Sequence, residues 1–178
     1  MAIESAGFEI RDLLGWQFQG QPKAFAQDHF VRRRGLPPHE EKEVLRRLGG
    51  RKTPQLRPQM EMIVLAQAPR IGTFVDNWLT YETGLIEVSD PVIQPAAFPG
   101  TLIPHPKPRE RHNHMTTKPV DVCRHLIRIF SAPRSLVLDP FAGSGTTGVA
   151  ALREGRSFIG FEIDYETAAG ANRRIANG

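Results

Sequence analysis

Residues 135–164 read SLVLDPFAGSGTTGVAALREGRSFIGFEID. Ser135 to Asp139 is a short apolar run that predicts a strand, and FAGSGTTG turns the chain into a helix that ends at Gly155. SFIGFEID predicts a second strand, and Asp164 is placed to cap a last helix running through Ile175. Strand, glycine turn, helix, strand, helix is a βαβ unit, so the two strands should be adjacent and parallel with a right-handed crossover. Gly143 and Gly145 sit where the first strand hands over to the helix. There they permit a tight turn and let a ligand approach the backbone with no Cβ in the way. Glu162 follows Gly145 by seventeen residues, where nucleotide-binding folds of this type put a carboxylate against ribose hydroxyls. GSGTTG only approximates the GxGxxG phosphate turn of a dinucleotide site.

Upstream of this unit, Pro119 opens a helix in which Val122, Cys123, Leu126, Ile127, Ile129 and Phe130 recur at helical spacing until Pro133. Residues 72–118 read as loop-rich, with prolines at 91, 95, 99, 104, 106 and 108 breaking any periodicity. Met60 to Ala66 reads as a buried-type strand. From Gln17 to Pro58 the chain is polar and basic, with one short helix that Pro37 and Pro38 open and Gly49 and Gly50 close. Residues 1–6 look like the end of a helix, and Gly7 then releases the chain into a strand ending at Trp16.

The 178 residues suffice for one domain with a core. The net charge of +4 permits a polyanionic partner without demanding one. Arg32, Arg33 and Arg34, followed by Arg46, Arg47, Arg51 and Lys52, could neutralise phosphates or simply be solvated. Cys123 is the single cysteine, which excludes an internal disulfide and a cysteine-based zinc cage. His105, His112 and His114 have no carboxylate or thiol at ligand spacing beside them, so no metal is expected. The longest apolar run, Met62 to Ala66, is too short to span a bilayer, and the expected location is cytoplasmic with no membrane partner.

Taken together, HNHMTTKPVDVCRHLIRIFSAPRSLVLDPFAGSGTTGVAALREGRSFIGFEID resembles the C-terminal half of the N-4/N-6 amino-methylating DNA methylases. The family's Thr-x-Lys-Pro motif falls on Thr116, Thr117, Lys118 and Pro119. Its Asp-Pro-Phe-x-Gly-Ser-Gly-Thr motif falls on Asp139 to Thr146 and includes Phe141, Gly143 and Gly145, and its ribose-binding acid falls on Glu162. More faintly, AGFEIRDLLGWQ resembles the strand after the catalytic segment. LRPQMEMIVLAQAP with GTFVDNWLTYETG resembles the segment before the target-recognition region, although only Glu61 of the family's Ala-His-Glu-Pro carries over.

The resemblance implies an α/β fold, an incomplete Rossmann-like class I methyltransferase sheet with helices on both faces. It implies S-adenosylmethionine as cofactor and DNA as partner, in DNA methylation of the restriction-modification kind. Thr116, Thr117, Lys118, Pro119, Asp139, Phe141, Gly143, Gly145, Thr146 and Glu162 would line the cofactor. It divides a single partial domain into residues 1–70 (post-catalytic strands and basic loop), 71–115 (proline-rich target-recognition region) and 116–178 (cofactor-binding βαβ unit).

Transfer to an exocyclic amine needs the base flipped out, its NH2 held by paired acceptors and an aromatic face to stack on. The family supplies these as Asp/Asn/Ser-Pro-Pro-Tyr/Phe/Trp. Leu36-Pro37-Pro38-His39 lacks acceptor and ring, and Asp90-Pro91-Val92-Ile93 lacks the second proline and the ring, so no residue is assigned as catalytic. The chain therefore reads as a truncation, a domain fragment or half of a split enzyme. It would be inactive alone and partnered by a missing N-terminal methyltransferase portion or by a second copy. Without the catalytic strand, the strand ending in Asp139 is expected to become an exposed edge. Adenine N6 is the favoured target. A non-catalytic remnant that binds cofactor or DNA and docks on an active methylase is the alternative. The bare βαβ turn also admits an NAD-type oxidoreductase fragment, which cofactor competition would distinguish.

Overall fold

The structure is a computed structural model that describes residues 2–89, 98–105 and 117–178. Its elements in chain order are α1 (Ala2–Ser5), β1 (Glu9–Gln17), α2 (Asp28–Arg32), α3 (Pro38–Leu48), β2 (Met60–Gln67) and α4 (Phe74–Tyr81), then β3 (Leu102–Pro104), α5 (Val120–Phe130), β4 (Leu136–Asp139), α6 (Thr146–Arg153), β5 (Ser157–Gly160) and α7 (Tyr165–Ala176). They divide into two compact units, one formed by residues 1–18 with 60–178 and the other by residues 19–59.

In the larger unit β1 pairs antiparallel with β2 along its length and parallel with β3 through Gly15, Trp16 and Gln17. β4 and β5 form a separate parallel pair with Leu136 opposite Ser157 and Asp139 opposite Gly160. The expected βαβ unit is present, with α6 as its crossover. Alternation along the strands turns Val137 and Phe158 toward the helices, where they pack on Ile127 of α5 and on Ala150 and Ala151 of α6. Ala150 and Ala151 are fully buried, and their small size lets α6 lie close to its neighbours. Leu136 and Leu138 alternate to the opposite face and stay 58% and 60% exposed.

α5 joins this pair to the three-stranded sheet. Its Val122 and Leu126 belong to a core built on Trp16, Phe18 and Ile103, while Ile127, Val120 and Cys123 belong to the core under β4 and β5. Beside α5, the Glu154 side chain is 3% exposed and accepts from Arg124 Nε (2.6 Å) and Arg128 Nε, which ties the end of α6 to α5.

Two elements depart from the expected loop-rich stretch at 72–118. α4 begins on a capping box, in which Thr73 Oγ1 accepts from Asp76 N–H and the Asp76 carboxylate accepts from Thr73 N–H. β3 forms although Pro104 lacks a ladder donor, because β3 adds at the end of β1 and Gly15 N–H is bonded to Thr101 O. β5 ends at Gly160, so Glu162 lies just beyond the strand rather than on its last residue.

In the smaller unit α3 runs between Pro38 and the left-handed Gly49, as the proline and glycine signals indicate, and α2 is an additional short helix. Arg51 donates to the Arg47 and Leu48 carbonyls at the end of α3, and Arg46 is paired with Glu43. Arg32, Arg33, Arg34, Arg47 and Lys52 are exposed. Among the described residues no helix is long and apolar enough to cross a membrane.

Candidate functional site

The carboxyl ends of β4 and β5 bring six of the ten expected cofactor residues together. Asp139 closes β4, and its Oδ1 accepts from Phe141 N–H at 3.0 Å, so the carboxylate itself starts the turn. The ladder then continues beyond the strands, with Phe161 N–H on Asp139 O and Ala142 N–H on Phe161 O. This second bond pins the turn beside the segment that carries Glu162. Glu162 Oε2 accepts from Gly143 N–H and Oε1 from Asp164 N–H, both at 3.0 Å, so the carboxylate spans from the glycine turn to the start of α7. Each carboxylate oxygen can accept a second bond, which leaves Glu162 able to take a pair of vicinal hydroxyls while keeping these anchors.

The two glycines of the turn do different work. Both hold positive φ, +51° at Gly143 and +74° at Gly145. A Cβ at Gly143 would meet nothing closer than Phe141 O at 3.8 Å, so this glycine leaves open space. At Gly145 it would lie 3.0 Å from Ala171 Cβ and 3.1 Å from Ile175 Cδ1. Gly145 is therefore small because α7 is pressed against it, a packing role beside the ligand-approach role read from the sequence. Phe141 is 87% exposed, an apolar ring with no protein cover.

Thr146, first residue of α6, is buried, and its hydroxyl faces α7 rather than solvent. Arg174 Nη1 lies 2.8 Å from Thr146 Oγ1 and 3.1 Å from both Ser144 O and Ser144 Oγ. Sequence reasoning missed Arg174. The available signal was its spacing, since Ala171, Arg174 and Ile175 fall on one helix face and place a cation in an otherwise small and apolar stripe.

The second group of expected residues lies at the start of α5. Thr116 lies outside the described residues, and Thr117 is partly buried. Lys118 pairs with Glu61 of β2, and its ammonium is 5.5 Å from the centroid of the Trp16 ring. Trp16 in turn donates from Nε1 to His105 O at 2.8 Å. Pro119 is buried at the N-cap of α5. One turn later, burial and then Asp139 push the Cys123 thiol up to about 11, against the opposing pull of Arg174 and Lys118. Val120 and Cys123 pack on Ala150 and Ala151, so the start of α5 lies against the helix that leaves the glycine turn. His105 Nε2 is 3.4 Å from Asp121 Oδ2, while His112 and His114 lie outside the described residues. Pro37 and Pro38 begin α3 in the smaller unit, and Asp90-Pro91-Val92-Ile93 lies outside the described residues.

A glycine turn after a parallel strand, faced by a carboxylate past the next strand, is the arrangement of nucleotide-binding α/β folds, the class I methyltransferases among them. A DNA methylase family model, that of the N6/N4 methyltransferases, matches residues 1–173, and the chain belongs to that family. The type II methyltransferase M.HindIII of Haemophilus influenzae is 32% identical over 170 residues, 91% of this chain and 53% of that protein. The DNA adenine methyltransferase YhdJ of Escherichia coli is 43% identical over 81 residues, 43% of this chain and 28% of that protein. The crystal structure of an M1.HpyAVI–SAM complex matches with a TM-score of 0.59 at 23% identity, covering 97% of this chain and 65% of that one. The PvuII cytosine-N4-specific DNA methyltransferase matches with the same TM-score at 19% identity, covering 97% of this chain and 53% of that one. The chain thus spans about half the length of M.HindIII, a relative that aligns over 91% of the chain.

Proposed function

We propose that this chain is the S-adenosylmethionine-binding, post-catalytic part of a DNA amino-methyltransferase, acting in the cytoplasm on adenine N6 in double-stranded DNA. The observation that carries the reading is the Gly143–Glu162 arrangement, in which one anchored carboxylate borders a glycine with open space above it. Glu162 would hold the ribose, and Phe141, Gly143 and Gly145 would line the methionine end. Thr116, Thr117, Lys118, Pro119, Asp139 and Thr146 would complete the wall. The cofactor would supply an electrophilic methyl group, and the protein's part is to hold it in place. The adenine assignment leans on the name of the 43% identical relative. DNA contact is assigned to the exposed arginines at 32–34 and 47 with Lys52, through phosphates.

Transfer itself is assigned to a complex. Among the described residues β4 pairs on one edge alone, and the Glu9–Leu14 stretch of β1 has no partner on its β3 side. Leu136 and Leu138 beside that free edge are apolar and exposed. A segment carrying an Asp-Pro-Pro-Tyr-like motif, on the same or a second polypeptide, would cover that edge and bring the acceptors to the glycine turn, whereas a second copy of this chain could cover the edge without supplying acceptors.

The cofactor reading is tested by isothermal titration with S-adenosylmethionine. The unaltered chain should bind, and Glu162→Ala or Gly143→Val should weaken binding by about tenfold or more, the cost of losing charge-assisted hydrogen bonds or of filling the open space. Unchanged affinity in both variants would overturn the residue assignment, and preferential binding of NAD would overturn the cofactor.

A further inference from the structure

We propose that Arg174 is a positioning residue for the cofactor, fixing the shape of the glycine turn from behind through the last helix. The inference rests on the cofactor reading above and extends it to a residue twenty-eight positions beyond the turn's end at Thr146.

Three observations converge. A single guanidinium nitrogen reaches the Ser144 carbonyl, the Ser144 hydroxyl and the Thr146 hydroxyl at 3.1, 3.1 and 2.8 Å. The side chain is part-buried, and charge-assisted bonds there are shorter and stronger than neutral ones. The same face of α7 presses Ala171 and Ile175 onto Gly145, so the helix closes on the turn at its narrowest point. A turn that contains two left-handed glycines has little stiffness of its own, because each glycine carries a large conformational entropy when released. Gly145 N–H on Ala142 O and Gly143 N–H on Glu162 hold the turn from the front and side. Arg174 holds the remaining peptide, that of Ser144, and is the one charged side chain among the described residues whose bonds reach Ser144 and Thr146.

The clamp acts where the methionine end of the cofactor would lie and not at the ribose, which Glu162 would hold. Removing it should therefore penalise ligands that carry the amino-acid end and spare those that lack it. A merely structural arginine would penalise both or neither.

The experiment uses the full chain as Arg174→Ala and Arg174→Lys, with Arg173→Ala as an exposed control on the same helix. Amide hydrogen exchange in the free chain reads the clamp alone, and calorimetric titration with S-adenosylhomocysteine and with 5′-methylthioadenosine reads its consequence. Exchange at Ser144 to Thr146 should accelerate by about tenfold in Arg174→Ala. Affinity for S-adenosylhomocysteine should fall by about tenfold while that for 5′-methylthioadenosine stays within twofold. Arg174→Lys should recover part of the loss, and Arg173→Ala should behave as the unaltered chain. Unchanged exchange in Arg174→Ala overturns the clamp whatever the ligands do. Accelerated exchange with equal loss for both ligands overturns its assignment to the methionine end. Failure of the unaltered chain to bind either ligand overturns the cofactor reading, and with it the positioning role.

Discussion

Single residues in this site are defined by what presses on them. Gly143 and Gly145 look equivalent in the sequence, yet one faces open space and the other faces Ala171 and Ile175. Glycine was legible as a requirement for positive φ, but which glycine a ligand approaches depends on α7, whose contact no local pattern encodes. Cys123 makes the same point. As a lone cysteine it reads as a small buried hydrophobe; it is partly buried against α6, and burial foremost and then Asp139 raise its thiol to about 11. At pH 8 the thiolate fraction is then about a hundredfold below that of an unperturbed thiol. Iodoacetamide should label Cys123 about a hundred times more slowly than a small-molecule thiol such as glutathione, becoming prompt on denaturation. Rapid labelling of the folded chain would contradict this packing of α5 on α6.

At the scale of elements, α5 is the member on which both cores depend, and Glu154 is the group that fastens it to α6. Burial alone would raise the Glu154 carboxyl, but the hydrogen bonds from Arg124 and Arg128 outweigh it and hold the carboxyl below its ordinary value. A carboxyl lowered on folding contributes stability at neutral pH that is lost as pH falls through its folded value. Glu154→Gln should therefore cost about 1–2 kcal/mol at pH 7, discounted because both arginines stay partly exposed. The gap from the unaltered chain should begin to narrow near the ordinary carboxyl value of about 4.3, where the unfolded state takes up its proton first, and should close only below the lowered folded value. Urea unfolding at pH 7 and pH 4 checks this, and an undiminished gap at pH 4 would contradict it. The elements around this helix were legible because each carries its own punctuation: Pro119 before α5, the glycine turn before α6, Asp164 at the cap of α7. α4 was legible in principle, since Thr73 and Asp76 spell a capping box, but the prolines downstream drew the whole stretch into a loop reading. β3 was not legible, because three residues ending in proline carry no alternation and pair only where β1 offers an edge.

For the whole molecule, the family's fold is present as two sheets joined through α5 rather than as one continuous sheet among the described residues. The proposed cofactor side has its anchored carboxylate, its open glycine and its exposed aromatic ring, all at the ends of β4 and β5. No tetrapeptide in the sequence offers the paired acceptors and aromatic face that localise an amine lone pair. Positioning supplies much of the acceleration in such a displacement, so cofactor binding alone should not yield transfer. The direct test is incorporation of tritiated methyl groups from S-adenosylmethionine into DNA of mixed sequence, by the chain alone and with a polypeptide carrying an Asp-Pro-Pro-Tyr-like motif. The account predicts no incorporation by the chain alone and clear incorporation by the pair, whereas robust incorporation by the chain alone, or none by the pair, would contradict it.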